Sequence, residues 1–210
     1  MKDEPMSLVL SKTEPTSIMY ELFFKKFNEI VSLTNDEEDI IKKYLTPKKL
    51  RKKQYLLQEG DVCKNIAFVE KGSLRSYTVS EKGSENIIQF ALETWLISDL
   101  FSFLTGEPAT YNIDALEDSE LLLTSKSAHE EMLQKLPKYE TYARVQITGA
   151  YIAMQRRLTS IISLSLEERY TYFSSLYPDI IQRVPQHMIA SYMGLTPETL
   201  SRVRKRLAKK

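Results

Sequence analysis

Between Arg51 and Leu123 the apolar residues come in short runs separated by turn formers, and this rhythm narrows the folds open to the chain. Tyr55-Leu56-Leu57 precedes Glu59-Gly60-Asp61, and Ile66-Ala67-Phe68-Val69 precedes Lys71-Gly72. Leu74 to Val79 leads into Glu81-Lys82-Gly83-Ser84-Glu85-Asn86, and Ile87 to Leu92 follows. Runs this short suit strands rather than helices, and glycine or aspartate every ~10 residues turns the chain back on itself. The expected product is a β-barrel or a jelly-roll-like β-roll. The basic cluster Lys48, Lys49, Arg51, Lys52 and Lys53 stands at its entrance and reads as a solvated face.

The flanking segments have helical periodicity. Residues 1–16 have no clear period and read as a loose tail. From Ser17 to Tyr44, Leu22, Phe23, Phe27, Ile30 and Val31 share a helix face, and a second short helix through Ile40, Ile41 and Leu45 should end before Pro47. Residues 17–136 thus form one domain. Pro137 opens a helix that extends to about Leu164, because proline is tolerated in a first turn where its missing N–H is not needed. At 1.5 Å per residue it spans ~40 Å. Along it Ala143, Ile147, Ala150, Met154, Leu158 and Ile161 recur at helix-face spacing, a narrow apolar seam that suits pairing with a second copy. Packing on its own β-domain is the other use of such a seam.

Residues 165–210 read as a third unit. Ser165-Leu166-Glu167-Glu168 is a capping box opening a helix to about Tyr177, which Pro178-Asp179 should end. A short helix from Gln186 to Met193 meets Gly194, where a left-handed residue is wanted, and Thr196 with Pro197 opens the next. Ile189, Met193, Leu195, Leu200 and Val203 supply the contacts between these two helices, with Ala190 small at their crossing. This is the pattern of a helix-turn-helix, whose second helix enters the major groove. From Arg183 to Lys210 there are seven basic residues and one acid, a net +6, so the rest of the chain carries −5 against a total of +1. Glu198, Thr199, Ser201 and Arg202 lie off the buried side and have the chemistry to read base edges. Thr196, Arg204, Lys205 and Arg206, with Lys209 and Lys210 beyond them, suit phosphates.

The stretch IASYMGLTPETLSRVRKRL, with its Glu-Thr-x-x-Arg core, resembles the DNA-reading segment of the Crp/Fnr family of bacterial transcription regulators. EGD and FVEKGSLRSY in the roll, and the long helix, match that family in order. The resemblance implies an α+β architecture with an N-terminal β-roll sensor domain, a long dimerisation helix and a C-terminal helix-turn-helix domain. It also implies a homodimer on a pseudo-palindromic double-stranded DNA site, with Glu198 and Arg202 as base readers. The residue beside that glutamate is commonly basic or polar in the family and is Pro197 here, so base preference should differ. The β-hairpin that often follows the recognition helix has no counterpart before Lys210.

Members of that family that bind cyclic AMP carry a Gly-Glu pair and, after a short helix, Arg-Ser-Ala. In register this chain has Ser98-Asp99 and then Ala109-Thr110-Tyr111, with Met154 and Gln155 at the adenine end of the long helix. Asp99, Thr110 and Gln155 are therefore the candidate effector pocket. Ala109 cannot neutralise a phosphate, so cyclic nucleotide binding is expected to be lost or very weak. Cys63, His129 and His187 are too few and too scattered for a metal, haem or iron–sulfur site, and no catalytic cluster is expected. The reading is of a cytoplasmic regulator without a membrane segment, with RNA polymerase and an unidentified small molecule as candidate partners. A cyclic-nucleotide-binding interaction module that does not bind DNA is the alternative, against which the helix-turn-helix argues.

Overall fold

The computed structural model describes residues 20–208. The expected tail, the helix start at Ser17, and Lys209 and Lys210 lie outside the described residues. Two short helices, α1 (Glu21–Asn28) and α2 (Asn35–Lys42), come first. Thr34 caps α2 in a reciprocal box with Glu37. Then follow β1 (Leu45–Leu50), β2 (Tyr55–Leu57), β3 (Asn65–Lys71), β4 (Leu74–Val79), β5 (Glu85–Ala91), β6 (Leu96–Ile97), the helix α3 (Leu100–Thr105), β7 (Asn112–Ala115) and β8 (Ser119–Ser125). The strands form two antiparallel four-stranded sheets, ordered β1-β8-β3-β6 and β2-β7-β4-β5. Leu57, Val69, Leu74, Ile97, Ile113 and Leu121 fill the space between them.

Leu45 and Pro47 correct the expectation of a helix ending before Pro47. Both lie in β1, where Leu45 pairs with Thr124 and Pro47 with Leu122. Helical spacing through Ile41 and Leu45 misled, because a turn intervenes at Lys43 and Tyr44. Proline is tolerated because β1 is an edge strand with one side of its backbone unpaired. Lys48 and Lys49 are exposed on this edge, and Lys49 reaches Glu120 at 3.2 Å.

Helix α4 (Lys126–Lys135), which the apolar spacing does not announce, leads into α5 (Pro137–Ser163). The start of α5 is buried: Tyr142 stacks on Phe27 of α1 with 4.4 Å between centroids, and Phe23 meets Phe68 of the roll edge-on. Beyond this aromatic anchor α5 leaves the core. Helices α6 (Leu166–Leu176), α7 (Pro178–Arg183), α8 (Gln186–Tyr192) and α9 (Pro197–Leu207) complete the chain. Pro178 both ends α6 and opens α7, occupying a first-turn position that needs no N–H.

The C-terminal helices share a core with the roll. Tyr77, Ile87, Phe90 and Leu92 pack with Phe173, Ile180, Val184, Ile189 and Met193. Around this seam Arg183 bridges to Glu93 and Glu117. Arg75 is buried and bidentate on Asp114 at 2.8 and 3.1 Å, also pairs with Glu85, and touches the sulfur of Met188.

Gly72, in the turn between β3 and β4, has φ +97°, and a Cβ there would stand 2.3 Å from Ser119 Oγ and 2.8 Å from the Asp118 carbonyl. Gly83 has a similar φ of +78° but open space around it. Gly72→Ala should cost roughly 3 kcal/mol, from left-handed strain plus overpacking, against about 1 for Gly83→Ala. In thermal melts the first should lower Tm by roughly 10 °C and the second by a few degrees.

Candidate nucleic-acid interface

Each local feature of the C-terminal unit follows from a few residues. Ser165 and Glu168 form the capping box that opens α6. Helix α8 ends in a Schellman arrangement, with Gly194 at φ +69°, the Leu195 N–H bonded to the Ala190 carbonyl at 2.8 Å and the Gly194 N–H to that of Ser191 at 2.9 Å. Thr196 then caps α9, its hydroxyl accepting from the Thr199 N–H at 3.2 Å, and Pro197 takes the first turn. Ile189, Ala190, Met193, Leu200 and Val203 are buried between the helices.

That packing leaves one face of α9 to solvent. Glu198, Ser201, Arg202, Arg204 and Lys205 are exposed, as is Thr196 in the cap, and Thr199 is half-buried. The Thr196 and Thr199 hydroxyls lie 3.1 Å apart, and Arg202 reaches Thr199 Oγ1 at 3.5 Å. Hydrogen bonds from its own backbone N–H and from Thr196, with Arg202 nearby, hold the Glu198 carboxyl below the usual range. A charged acceptor and a charged fork thus stand side by side at the start of a helix whose other face is buried. Arg206 is placed differently: it bridges 3.0 Å to Glu167 at the start of α6, bracing α9 within the protein.

Of the seam residues, Ile147, Ala150, Met154, Leu158 and Ile161 are exposed on α5, and Ala143 is half-buried against the aromatic anchor. Tyr151, Ile152 and Ile162 are exposed as well, so the apolar surface is wider than a strict heptad pattern reveals. The helix does not bury this face on its own roll.

The expected effector pocket is only partly assembled. Asp99 is buried and caps α3, one carboxylate oxygen accepting from the Ser102 N–H at 3.0 Å and the other from the Thr110 N–H at 3.1 Å. Gln155 is exposed on α5, and no hydrogen bond among the described residues joins it to either. A cavity of about 360 Å³ opens elsewhere in the roll, among Leu56, Leu57, Val62, Cys63 and Ile113. Among the described residues no three histidine, cysteine or carboxylate side chains are grouped as metal ligands would be. None of the helices there is long and apolar enough to cross a membrane.

Sequence reasoning missed Arg157 and Arg169, which hold the end of α8 from outside the helix pair, and Ser191, which ties α8 itself to β5. Nothing in their spacing marks them, because their partners are backbone atoms distant in sequence. Thr196→Ala should cost about 1 kcal/mol through loss of the cap. Hydrogen exchange should then show faster exchange at the first-turn amides of α9, with the strands of the roll unchanged.

Comparison with known proteins shows what the chain resembles. A model described as a cyclic nucleotide-binding domain matches residues 47–136. The fumarate and nitrate reduction regulatory protein of Vibrio cholerae is 26% identical over 190 residues, covering 85% of this chain and 75% of its own. The regulatory protein HlyX of Actinobacillus pleuropneumoniae is 27% identical over 173 residues, covering 77% and 71%. Among solved structures, FixK2 from Bradyrhizobium japonicum superposes with a TM-score of 0.66 at 20% identity, covering 79% of this chain and 85% of that one. The chain is thus similar to these regulators over most of its length, with a β-roll, a long helix and a helix-turn-helix in that order.

Proposed function

We propose that the chain is a sequence-specific DNA-binding transcription regulator that works as a homodimer in the cytoplasm, and not an enzyme. The exposed face of α9 carries the reading: Glu198, Thr199, Ser201 and Arg202 are presented together on a helix whose opposite side is buried. Arginine pairs with guanine O6 and N7, and glutamate accepts from cytosine N4, so these two groups can discriminate base pairs in a major groove. Thr196, Arg204 and Lys205 flank them and suit phosphates. The exposed apolar face of α5 supports pairing of two copies, which would set two α9 helices about one helical turn of DNA apart. RNA polymerase is a further proposed partner.

The residues present do not suit a cyclic nucleotide. Both oxygens of Asp99 are engaged by backbone N–H groups, and the buried Ala109 stands where the resemblance calls for the phosphate-neutralising arginine. Burying a phosphate there without a counter-charge would be costly. The effector, where one exists, is then a molecule of different chemistry. Calorimetric titration with cyclic AMP should give no saturable binding at micromolar concentrations, and a micromolar Kd would overturn this part of the reading.

The DNA reading is tested by gel shift on a genomic library followed by variants on the selected site. Arg202→Ala should lose roughly 1–3 kcal/mol of discrimination at one base pair per half-site. Arg204→Ala should weaken all sequences alike and reduce the salt slope by about 1. Equal loss on every sequence from Arg202→Ala would remove it as a base reader. Leu158→Asp should convert the dimer to a monomer in sedimentation velocity, since an unpaired carboxylate cannot be buried in an apolar helix seam.

A further inference from the structure

The helix before the reader is held by bonds that end close to the reader itself. β5 is the edge of its sheet, and α8 lies along it. The Ser191 hydroxyl donates to the Glu85 carbonyl at 2.8 Å and accepts from the Ile87 N–H at 3.0 Å, as a neighbouring strand would. Next to it Arg157 of α5 donates to the Ile88 carbonyl at 2.6 Å and to the Tyr192 carbonyl at 2.7 Å. Its guanidinium lies 3.8 Å from the centroid of the Tyr192 ring. Arg169 of α6 donates to the Met193 carbonyl.

The Tyr192 and Met193 carbonyls belong to the end of α8, where no intrahelical donor reaches them. The two arginines therefore cap α8 and grip the chain immediately before the turn that launches α9. Arg157 also stands on α5 among Met154, Leu158 and Ile161, the residues proposed to meet the second copy. One side chain thus joins the dimer helix, the edge of the roll and the root of the reader. None of these groups lies on the face of α9 that meets DNA.

We propose that Arg157 and Ser191 are positioning residues that select the spacing between the two half-sites of the operator. This rests on the reading of the chain as a dimeric DNA binder. Each added base pair moves a half-site about 3.4 Å along the duplex and turns it by about 35°. A reader tied to α5 and to β5 by these bonds cannot follow that change. A reader released from them can.

The test uses the full chain and operators built from the half-site it selects, with spacers varied one base pair at a time, measured by quantitative gel shift. Wild type should prefer one spacer. Arg157→Met and Ser191→Ala should each lose roughly tenfold of that preference, about what one or two lost hydrogen bonds amount to, with unchanged base preference inside each half-site. Ser191→Thr, which keeps the hydroxyl, should restore it. Arg157→Lys, which keeps the charge and stem but not the two-carbonyl fork, gives a further variant should Ser191→Ala fail to fold, and circular dichroism melts identify such a failure. Weaker binding at every spacing with the same optimum would overturn the proposal, assigning these residues to stability alone. So would a wild-type protein that binds DNA with no preferred spacer. A wild-type protein that binds no DNA would instead remove the underlying reading.

Discussion

An antiparallel sheet ends in a strand whose backbone groups need partners, and for β5 that partner is a helix of the C-terminal unit. Ser191 satisfies two of them on this edge, the part-buried Ile87 N–H and the solvent-exposed Glu85 carbonyl. Tyr77, Ile87 and Phe90 beside it would face water without α8 and α6 above them. The buried Arg75 is held the same way, neutralised by Asp114 and Glu85 from the roll and covered by Met188 from α8. The roll and the C-terminal helices are therefore not two bodies on a tether. Each completes the other's surface.

Helix α5 has a different character along its length. Its first turns are fixed by Tyr139 and Tyr142 among the phenylalanines of α1, while most of the remainder shows apolar side chains to solvent. Arg157 is the point where the outer part of the helix returns to its own subunit. A helix anchored at one end, apolar along its middle and bonded to the reader near the other end can transmit a change of position between them.

Much of this was legible in the sequence, where the signal is local. The turn residues of the roll, Pro137 at the start of α5, the Ser165 capping box, and the Gly194 and Thr196 pair all act on neighbours within a few positions. The apolar spacing of Ile189, Met193, Leu200 and Val203 likewise identifies the exposed face of α9 by elimination. What could not be read depends on contacts between distant residues. Leu45 and Pro47 fit a helix end until β8 is known to lie beside them, and α7 hides behind a proline that closes one helix and opens another. Asp99 has the right identity for a ligand contact, but its two oxygens are engaged by backbone groups three and eleven residues away. Arg206 has the composition of a phosphate contact, and its pairing with Glu167, thirty-nine residues earlier, is not visible in its neighbours.

The free edge at β1 bears on how copies of the chain meet. An unpaired edge strand is an invitation to join another molecule by strand addition. Here Pro47 removes a donor from that edge, and the exposed Lys48 and Lys49 stand along it, which disfavours pairing of two such edges. The apolar face of α5 is then left as the favoured meeting point. Under the proposed dimer, self-association runs through a surface that holds two copies of α9 in a defined pair, and away from one that would string rolls into an open-ended chain.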